Sequence, residues 1–227
     1  DITSYLSLYA SYTDIFKPST NYDAQGNLLK PAEGTNVEGG AKLAFFDDKL
    51  NILANYYQTK QDNVPEYVPG PGGAVNYGPT GRFVYQGIDG TKTTGYELEI
   101  SGQVSSQWQL GGGYSSNDPV DKNRQRRLTE VPQETFKMFT NYTPGWISGL
   151  SVGANLRWQE GIYNNTINFD QGSVTLVDVM ARYAINSQLT ATLNINNLLD
   201  KTWYTSIRRE GWYGEPRSAY LTLRYSF

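Results

Sequence analysis

The chain ends on the stretch RSAYLTLRYSF, residues 217–227. Counted back from the last residue, every second side chain in it is apolar, and the side chains between them are polar or amphipathic. The apolar positions are Ala219, Leu221, Leu223, Tyr225 and Phe227. A period of two predicts a β-strand with one apolar face and one wet face. Because free termini usually fray into water, a chain that stops on an aromatic residue is expected to stop inside folded structure.

The composition argues against several classes of protein. Mean hydropathy is −0.54 although 14% of the residues are aromatic, and the longest apolar run, 43–46, is far shorter than the roughly 18 to 20 residues of a membrane helix. There is no cysteine and no histidine, so zinc sites and Ser-His-Asp catalysis lack a ligand or a base. The net charge of −3 gives no argument for a nucleic-acid partner. We therefore expect no enzyme, no resident metal and no bound cofactor.

The same alternation recurs along the whole chain and predicts ten strands. They are expected at about 3–13, 36–46, 50–60, 83–104, 108–116, 136–142, 150–159, 173–185, 189–196 and 217–227. Connections after the odd-numbered strands are long, and those after the even-numbered strands are only a few residues. A Greek-key sandwich would mix the lengths, whereas a meander through a membrane has tight turns on one side and long loops on the other. The sequence thus predicts an all-β fold, a transmembrane antiparallel β-barrel, with aromatic girdles near the strand ends.

Several segments resemble one family in their order along the chain. Residues 194–204 (NINNLLDKTWY), 213–217 (YGEPR) and the closing strand resemble the C-terminal signature of TonB-dependent outer-membrane receptors, particularly those for ferric siderophores. Residues 9–18 (YASYTDIFKP), 95–101 (GYELEIS) and 176–183 (LVDVMARY) are similar to further landmarks of that barrel. In such proteins the alternating positions of the closing strand, here Ala219 to Phe227, are read by the barrel-assembly machinery.

The resemblance implies more than the residues alone do. Receptors of this family have an N-terminal plug inside a barrel of 22 strands, preceded by a short box that binds TonB. Residues 1–227 resemble only the last ten strands, so we expect the C-terminal portion of the barrel domain, with the plug and the TonB box absent and no transport by this portion alone. The implied function is uptake of a ferric siderophore across the bacterial cell outer membrane, energised through TonB. Iron would be carried as the chelate, and haem is disfavoured by the lack of histidine.

Candidate site residues follow from the same reasoning. Planar rings can cover the apolar faces of a chelate and arginine can pair with its anionic oxygens, although loop rings can also simply pack on one another. The candidate ligand-binding residues are Tyr67, Tyr77, Trp203, Tyr204, Arg208, Arg209, Trp212 and Tyr213. The residues expected to face the lumen and meet the plug are Glu97, Glu99, Lys137, Arg157, Asp178 and Arg182.

Other interpretations stay open at this point. A passive outer-membrane pore or an adhesin would share the barrel, and a pore should concentrate charge at a lumen constriction. A ten-stranded protease is disfavoured because the chain has no histidine. A basic group on one long connection is expected to be solvated or to contact the phosphates of lipopolysaccharide; its members are Lys122, Arg124, Arg126 and Arg127. Among siderophores, a hydroxamate or mixed type is expected on the resemblance alone.

Overall fold

The computed structural model describes residues 2–165, 167–207 and 211–227. In chain order the strands are β1 Leu6–Lys17, β2 Ala32–Phe45, β3 Leu50–Asp62, β4 Val64–Tyr67, β5 Tyr85–Ile88, β6 Thr91–Ser105, β7 Trp108–Val120, β8 Glu134–Tyr142, β9 Leu150–Gln159, β10 Ile162–Asn164, β11 Phe169–Gln171, β12 Val174–Ala184, β13 Leu189–Asn196, β14 Tyr204–Ser206, β15 Trp212–Tyr213 and β16 Ser218–Tyr225. A short 3₁₀ turn covers Pro71–Gly73. No helix in the described ranges is long and apolar enough to cross a membrane.

One antiparallel sheet of ten strands contains most of the structure. Its strand order is β1-β2-β3-β6-β7-β8-β9-β12-β13-β16, so each large strand pairs with the next one along the chain. This meander of ten strands confirms the predicted fold class. Tight turns join the strands at one end of the sheet, and five long connections leave from the other end. We call these connections loop 1 (18–31), loop 2 (63–90), loop 3 (121–133), loop 4 (160–173) and loop 5 (197–217).

The predicted strand 83–104 is wrong in its first part. Tyr85–Ile88 instead pairs with Val64–Tyr67 as a hairpin on loop 2, and the sheet strand begins only at Thr91. Two aspartates turn the chain there: Asp62 Oδ1 accepts the Gly90 N–H at 2.6 Å, and Asp89 Oδ1 accepts the Asn63 N–H at 2.9 Å. Gly90 has a φ of +70°, in the left-handed region that favours glycine, so an extended strand cannot run through it.

The pairing register of the strands places apolar residues opposite one another across the sheet. Leu221 lies opposite Leu193, Leu193 opposite Ala181, and Ala181 opposite Val152, which places an apolar row on one face. Leu221 is 67% exposed and Leu193 41% exposed. Because side chains alternate strictly, the residues between them form a polar face on the other side. The sheet is thus held by its backbone ladder, and its apolar face requires a covering of lipid.

Rings lie near both edges of the apolar face. Tyr142 and Trp146 contact each other beside a tight turn, with ring centroids 6.0 Å apart, and Trp146 is 76% exposed. Tyr96 and Tyr114 stack at 5.7 Å toward the long loops. At the C-terminal end of the chain, Tyr225 and Phe227 contact each other edge to face, with ring centroids 5.1 Å apart. Such ring pairs at the two borders of an apolar band are typical of membrane interfaces.

Candidate functional site

The base of loop 5 is organised by one buried side chain. Asn197 is 4% exposed, and its Nδ2 donates to the carbonyl oxygens of Lys201 at 2.9 Å and Glu215 at 3.1 Å. Its Oδ1 accepts the Lys201 N–H at 2.9 Å, and its own N–H donates to Asp178 Oδ1 at 2.9 Å. Asn197 has a φ of +49°, which asparagine tolerates better than most residues. A single amide therefore ties both stems of loop 5 together.

A second contact joins the same stems nearer the surface. The Arg217 guanidinium pairs with Asp200 Oδ2 at 3.3 Å, and the Arg217 N–H donates to Asp200 Oδ1 at 3.3 Å. Both side chains are about half exposed, so the pair contributes little energy by itself. Asp200 and Arg217 belong to the two segments that resemble the family, 194–204 and 213–217. These segments thus have a structural role, because they close the base of the loop.

Above this base, loop 5 presents an aromatic surface. Tyr204 and Tyr213 stack with centroids 4.5 Å apart, and the Tyr204 hydroxyl donates to Tyr213 Oη at 2.9 Å. That hydrogen bond, together with desolvation, raises the pKa of the Tyr204 phenol above its usual value. Phe169 from loop 4 meets Tyr204 edge to face at 4.9 Å. Trp212 and Tyr213 are about two thirds exposed, which leaves Trp212 and the face of Tyr213 that points away from Tyr204 open to a ligand.

The other predicted ligand-binding residues of loop 5 are Trp203, Arg208 and Arg209. Trp203 lies half-buried beneath Gly214, whose N–H donates to the Trp203 carbonyl oxygen at 2.8 Å. A Cβ added at Gly214 would collide with the Trp203 ring, so the backbone approaches that ring closely. Arg208 and Arg209 lie outside the described residues. The described residues therefore do not test the predicted role of these two arginines in ligand binding.

β14 and β15 of loop 5 pair as antiparallel strands, and loop 4 positions this strand pair. The Gln171 side chain accepts the Tyr204 N–H at 2.6 Å and donates to the Tyr204 carbonyl oxygen at 3.3 Å, as a neighbouring strand would. Asn164 Nδ2 donates to the Ile207 carbonyl oxygen at 3.0 Å, and the Ile207 side chain is fully buried. These contacts fix the backbone of Tyr204, so its ring is held in place against Tyr213 and Phe169.

A second aromatic cluster forms between loop 1 and loop 2. Tyr77 stacks on Phe83 at 5.1 Å, and Tyr67 meets Phe83 edge to face at 5.9 Å. The Arg82 guanidinium lies 5.0 Å from the centre of the Tyr22 ring. A cavity of about 330 Å³ is lined by Thr20, Asn21, Tyr22, Tyr77, Gly81, Arg82, Phe83 and Tyr85. Both predicted tyrosines of loop 2 thus belong to one cluster.

Three members of this cluster were not predicted from the sequence: Tyr22, Arg82 and Phe83. The stretch GRFVY, residues 81–85, is rich in rings beside an arginine and could have drawn attention to Arg82 and Phe83. No local signal brings Tyr22 to them, because it comes from another loop. Its carbonyl oxygen accepts the Tyr85 N–H at 2.8 Å.

Two ion pairs connect loop 3 to the neighbouring loops 2 and 4. Arg127 of loop 3 pairs with Glu66 of loop 2 at 3.2 Å, and Arg126 pairs with Glu160 of loop 4 at 3.4 Å. The Arg126 and Arg127 side chains are only 22% and 16% exposed. The expectation that all four basic residues of loop 3 are solvated is therefore wrong for these two. Lys122 and Arg124 are exposed, as expected.

All six predicted lumen residues lie on the polar face of the sheet. They are Glu97, Glu99, Lys137, Arg157, Asp178 and Arg182, as the strand register shows.

Two groups of hydrogen bonds organise this face. Arg157 pairs with Asp178 at 3.2 Å, and Asn155 Nδ2 donates to the same carboxylate at 3.0 Å. Across the sheet, Asn55 Nδ2 donates to Glu97 at 3.1 Å and to Glu38 at 3.4 Å. The face can therefore offer both charged and amide groups to whatever fills the lumen. Within the described residues, no group of three or more His, Cys, Asp or Glu could hold a metal ion.

Comparisons with known proteins agree with this architecture. Residues 1–198 match the family model described as TonB dependent receptor-like, beta-barrel. The chain is 38% identical to the ferric-pyoverdine 358 receptor of Pseudomonas putida and 37% identical to the ferripyoverdine receptor of Pseudomonas aeruginosa. Each match covers 100% of this chain, but 28% and 29% of the relative.

Solved structures give the same result. The pyoverdine outer membrane receptor FpvA from Pseudomonas aeruginosa, bound to pyoverdine, superposes with a TM-score of 0.85 at 36% identity, over 100% of this chain and 35% of that chain. The chain thus spans less than a third of the length of the curated relatives it matches. With a family model that covers most of its residues, the chain belongs to the TonB-dependent receptors, as part of their β-barrel.

Proposed function

We propose that the full-length receptor containing this chain binds a ferric siderophore at its external loops and imports it across the outer membrane with energy supplied through TonB. The observation that carries the proposal is the pair of aromatic clusters on the long-loop side of the sheet, on loops 1 and 2 and on loops 4 and 5. A passive pore does not require stacked, exposed rings on its long loops. No enzymatic step is part of the proposal.

The two clusters suit a large chelate that is partly apolar and partly charged. The open faces of Trp212, Tyr213 and Tyr77 supply flat apolar contact area with little loss of side-chain entropy. Arg82 supplies a cation within the cluster of loops 1 and 2. Iron would enter as the chelate, with no bound cofactor. A pyoverdine-type siderophore, of the hydroxamate or mixed class, is the first candidate because the relatives reported above are named as pyoverdine receptors.

Other partners follow from the location. TonB would act through the N-terminal part of the receptor. The plug would be contacted by six of the charged residues of the polar face: Glu97, Glu99, Lys137, Arg157, Asp178 and Arg182. The row Ala219, Leu221, Leu223, Tyr225 and Phe227 would serve as the signal for the barrel-assembly machinery. Lipid and lipopolysaccharide would surround the apolar face. No nucleic acid is a partner in this proposal.

Replacing both Trp212 and Tyr213 by Ala in the full-length receptor should weaken chelate binding about tenfold or more. A favourable pair of rings contributes about 0.5 to 1.5 kcal/mol beyond the area it buries, so loss of two such contacts with the chelate reaches the 1.4 kcal/mol that is a factor of ten in Kd. Isothermal titration with a panel of iron-loaded siderophores measures the change. Stability should be nearly unaltered, because both side chains are exposed.

Trp146→Ala is the matched control, since Trp146 is exposed at a tight turn on the opposite end of the sheet. It should bind chelate like the parent receptor. An unchanged Kd in the double variant would remove these two rings from the site. Failure of the parent to bind any chelate in the panel would favour the pore or adhesin interpretation.

A further inference from the structure

Loop 3 lies between the two aromatic clusters. The order of the strands places loop 3 above β7 and β8, with loops 1 and 2 on one side of it and loops 4 and 5 on the other. Residues 121–133 include no aromatic residue, so loop 3 contributes no ring to either cluster. Its effect on the rings therefore passes through its contacts with the neighbouring loops.

A tight turn fixes the segment of loop 3 that carries two adjacent arginines. Asp121 Oδ1 accepts the Gln125 N–H at 2.9 Å, which closes the turn. Directly after it, Arg126 forms a β-bridge with Val120 at the end of β7. Successive side chains of a paired, extended segment point to opposite sides. Arg126 and Arg127 are therefore directed away from each other, toward different loops.

Arg127 holds the strand pair β4–β5 of loop 2. Its guanidinium pairs with Glu66 at 3.2 Å, and only 16% of the Arg127 side chain is exposed. Glu66 precedes Tyr67 on β4, and the Tyr67 ring contacts Phe83 edge to face. A charge-assisted hydrogen bond that is partly buried is stronger, and less screened by salt, than an exposed one. The ion pair thus stabilises the strand that carries a ring of the cluster of loops 1 and 2.

Arg126 holds the strand pair β10–β11 of loop 4. Its guanidinium pairs with Glu160 at 3.4 Å and lies 5.5 Å from the centre of the Tyr163 ring. The Tyr163 N–H donates to the Thr129 carbonyl oxygen at 2.9 Å, which is a second contact between loops 3 and 4. Tyr163 belongs to β10, and Gln171 of the paired strand β11 holds the backbone of loop 5. Arg126 thus stabilises the strand pair against which the rings of loop 5 are placed.

We propose that Arg126 and Arg127 are positioning residues of the chelate site. One side chain holds loop 4 and the other holds loop 2, so together they keep both aromatic clusters in the arrangement that binds the chelate, without contacting the chelate themselves. The apparent Kd of a ligand rises as the fraction of receptor with ordered loops falls. The effect on chelate binding rests on the proposed function, whereas the effect on the two strand pairs does not.

Hydrogen exchange in the full-length receptor, without ligand, tests the two contacts by their direction. Arg127→Glu should accelerate exchange in β4 and β5 by about tenfold, because two carboxylates then replace an ion pair. Arg126→Glu should accelerate exchange in β10 and β11 instead. Lys122→Glu makes the same charge change at an exposed side chain of the same loop, so this control should alter neither strand pair. Exchange as slow as in the parent in both arginine variants would overturn the proposal.

A charge swap separates positioning from a general loss of structure. Arg127→Glu should raise the Kd for ferric pyoverdine about threefold or more, and the swap Arg127→Glu/Glu66→Arg should return it to within about twofold of the parent value. The Tm of the barrel should be the same in all variants, because the sheet ladder is not involved. An unchanged Kd in Arg127→Glu, or a swap that binds no better than Arg127→Glu, would overturn the positioning role. Failure of the parent to bind any chelate would count against the proposed function, and the exchange experiment would still decide whether the two arginines hold the loops.

Discussion

Replacing Leu193 by Arg should remove most of the folded receptor from the outer membrane, whereas Asn194→Arg should leave assembly close to that of the parent. Leu193 lies in the middle of β13 on the apolar face, between Ala181 and Leu221. Asn194 is its neighbour on the polar face, between Met180 and Tyr220. A charge on the lipid face near the midplane costs on the order of 2 to 4 kcal/mol, and a lumen position is wet.

The measurement is the amount of heat-modifiable, folded receptor in isolated outer membranes at equal expression. The two substitutions introduce the same side chain one residue apart on one strand, so the charge is placed on the apolar face in one variant and on the polar face in the other. A drop of roughly tenfold or more is expected for Leu193→Arg only. Equal assembly of the two variants would contradict the assignment of the faces.

The second large effect is expected at the base of loop 5. Asn197→Ala removes three side-chain hydrogen bonds from a site that is 4% exposed and leaves the Glu215 and Lys201 backbone groups without that partner. A buried group left unpaired costs about 1 to 3 kcal/mol. The Ala side chain also tolerates the φ of +49° less well than Asn does.

The loss should be local, because the sheet ladder does not depend on this amide. Hydrogen exchange should therefore accelerate in residues 197–217 by a factor of ten or more, with the strands β6 to β9 unchanged. Chelate affinity should fall along with it, since Tyr204 and Tyr213 are carried by this loop. Leu199→Ala, at a side chain that is 60% exposed in the same loop, is the control and should change neither quantity. Unaltered exchange in the Asn197 variant would show that the other contacts suffice.

The fold could be predicted from the sequence because a period of two is a local signal that repeats ten times. Each strand carries its own pattern, and the alternation of tight turns and long connections is read directly from spacing. The strand prediction was wrong where the chain turns but the alternation of apolar and polar residues does not change. Residues 83–104 look extended throughout, and the break at Gly90 depends on Asp62 and Asp89, which act on backbone groups across loop 2.

The candidate site was predictable to the extent that its residues are neighbours in sequence. Tyr204 and Tyr213 meet because a short hairpin joins them. Contacts between loops were not predictable, since Arg127 and Glu66 are separated by 61 residues and no pattern relates them. The same holds for Tyr22, which reaches the loop 2 rings only in the folded chain.

We propose that the full-length receptor imports a ferric siderophore with energy from TonB. Uptake of radiolabelled iron, supplied as ferric pyoverdine, should be measured in cells that express the full-length receptor, with and without a functional TonB. We expect accumulation inside the cell only when TonB is present, and binding at the surface in both strains. Equal accumulation in the two strains, or none in either strain across a panel of ferric siderophores, would contradict the account.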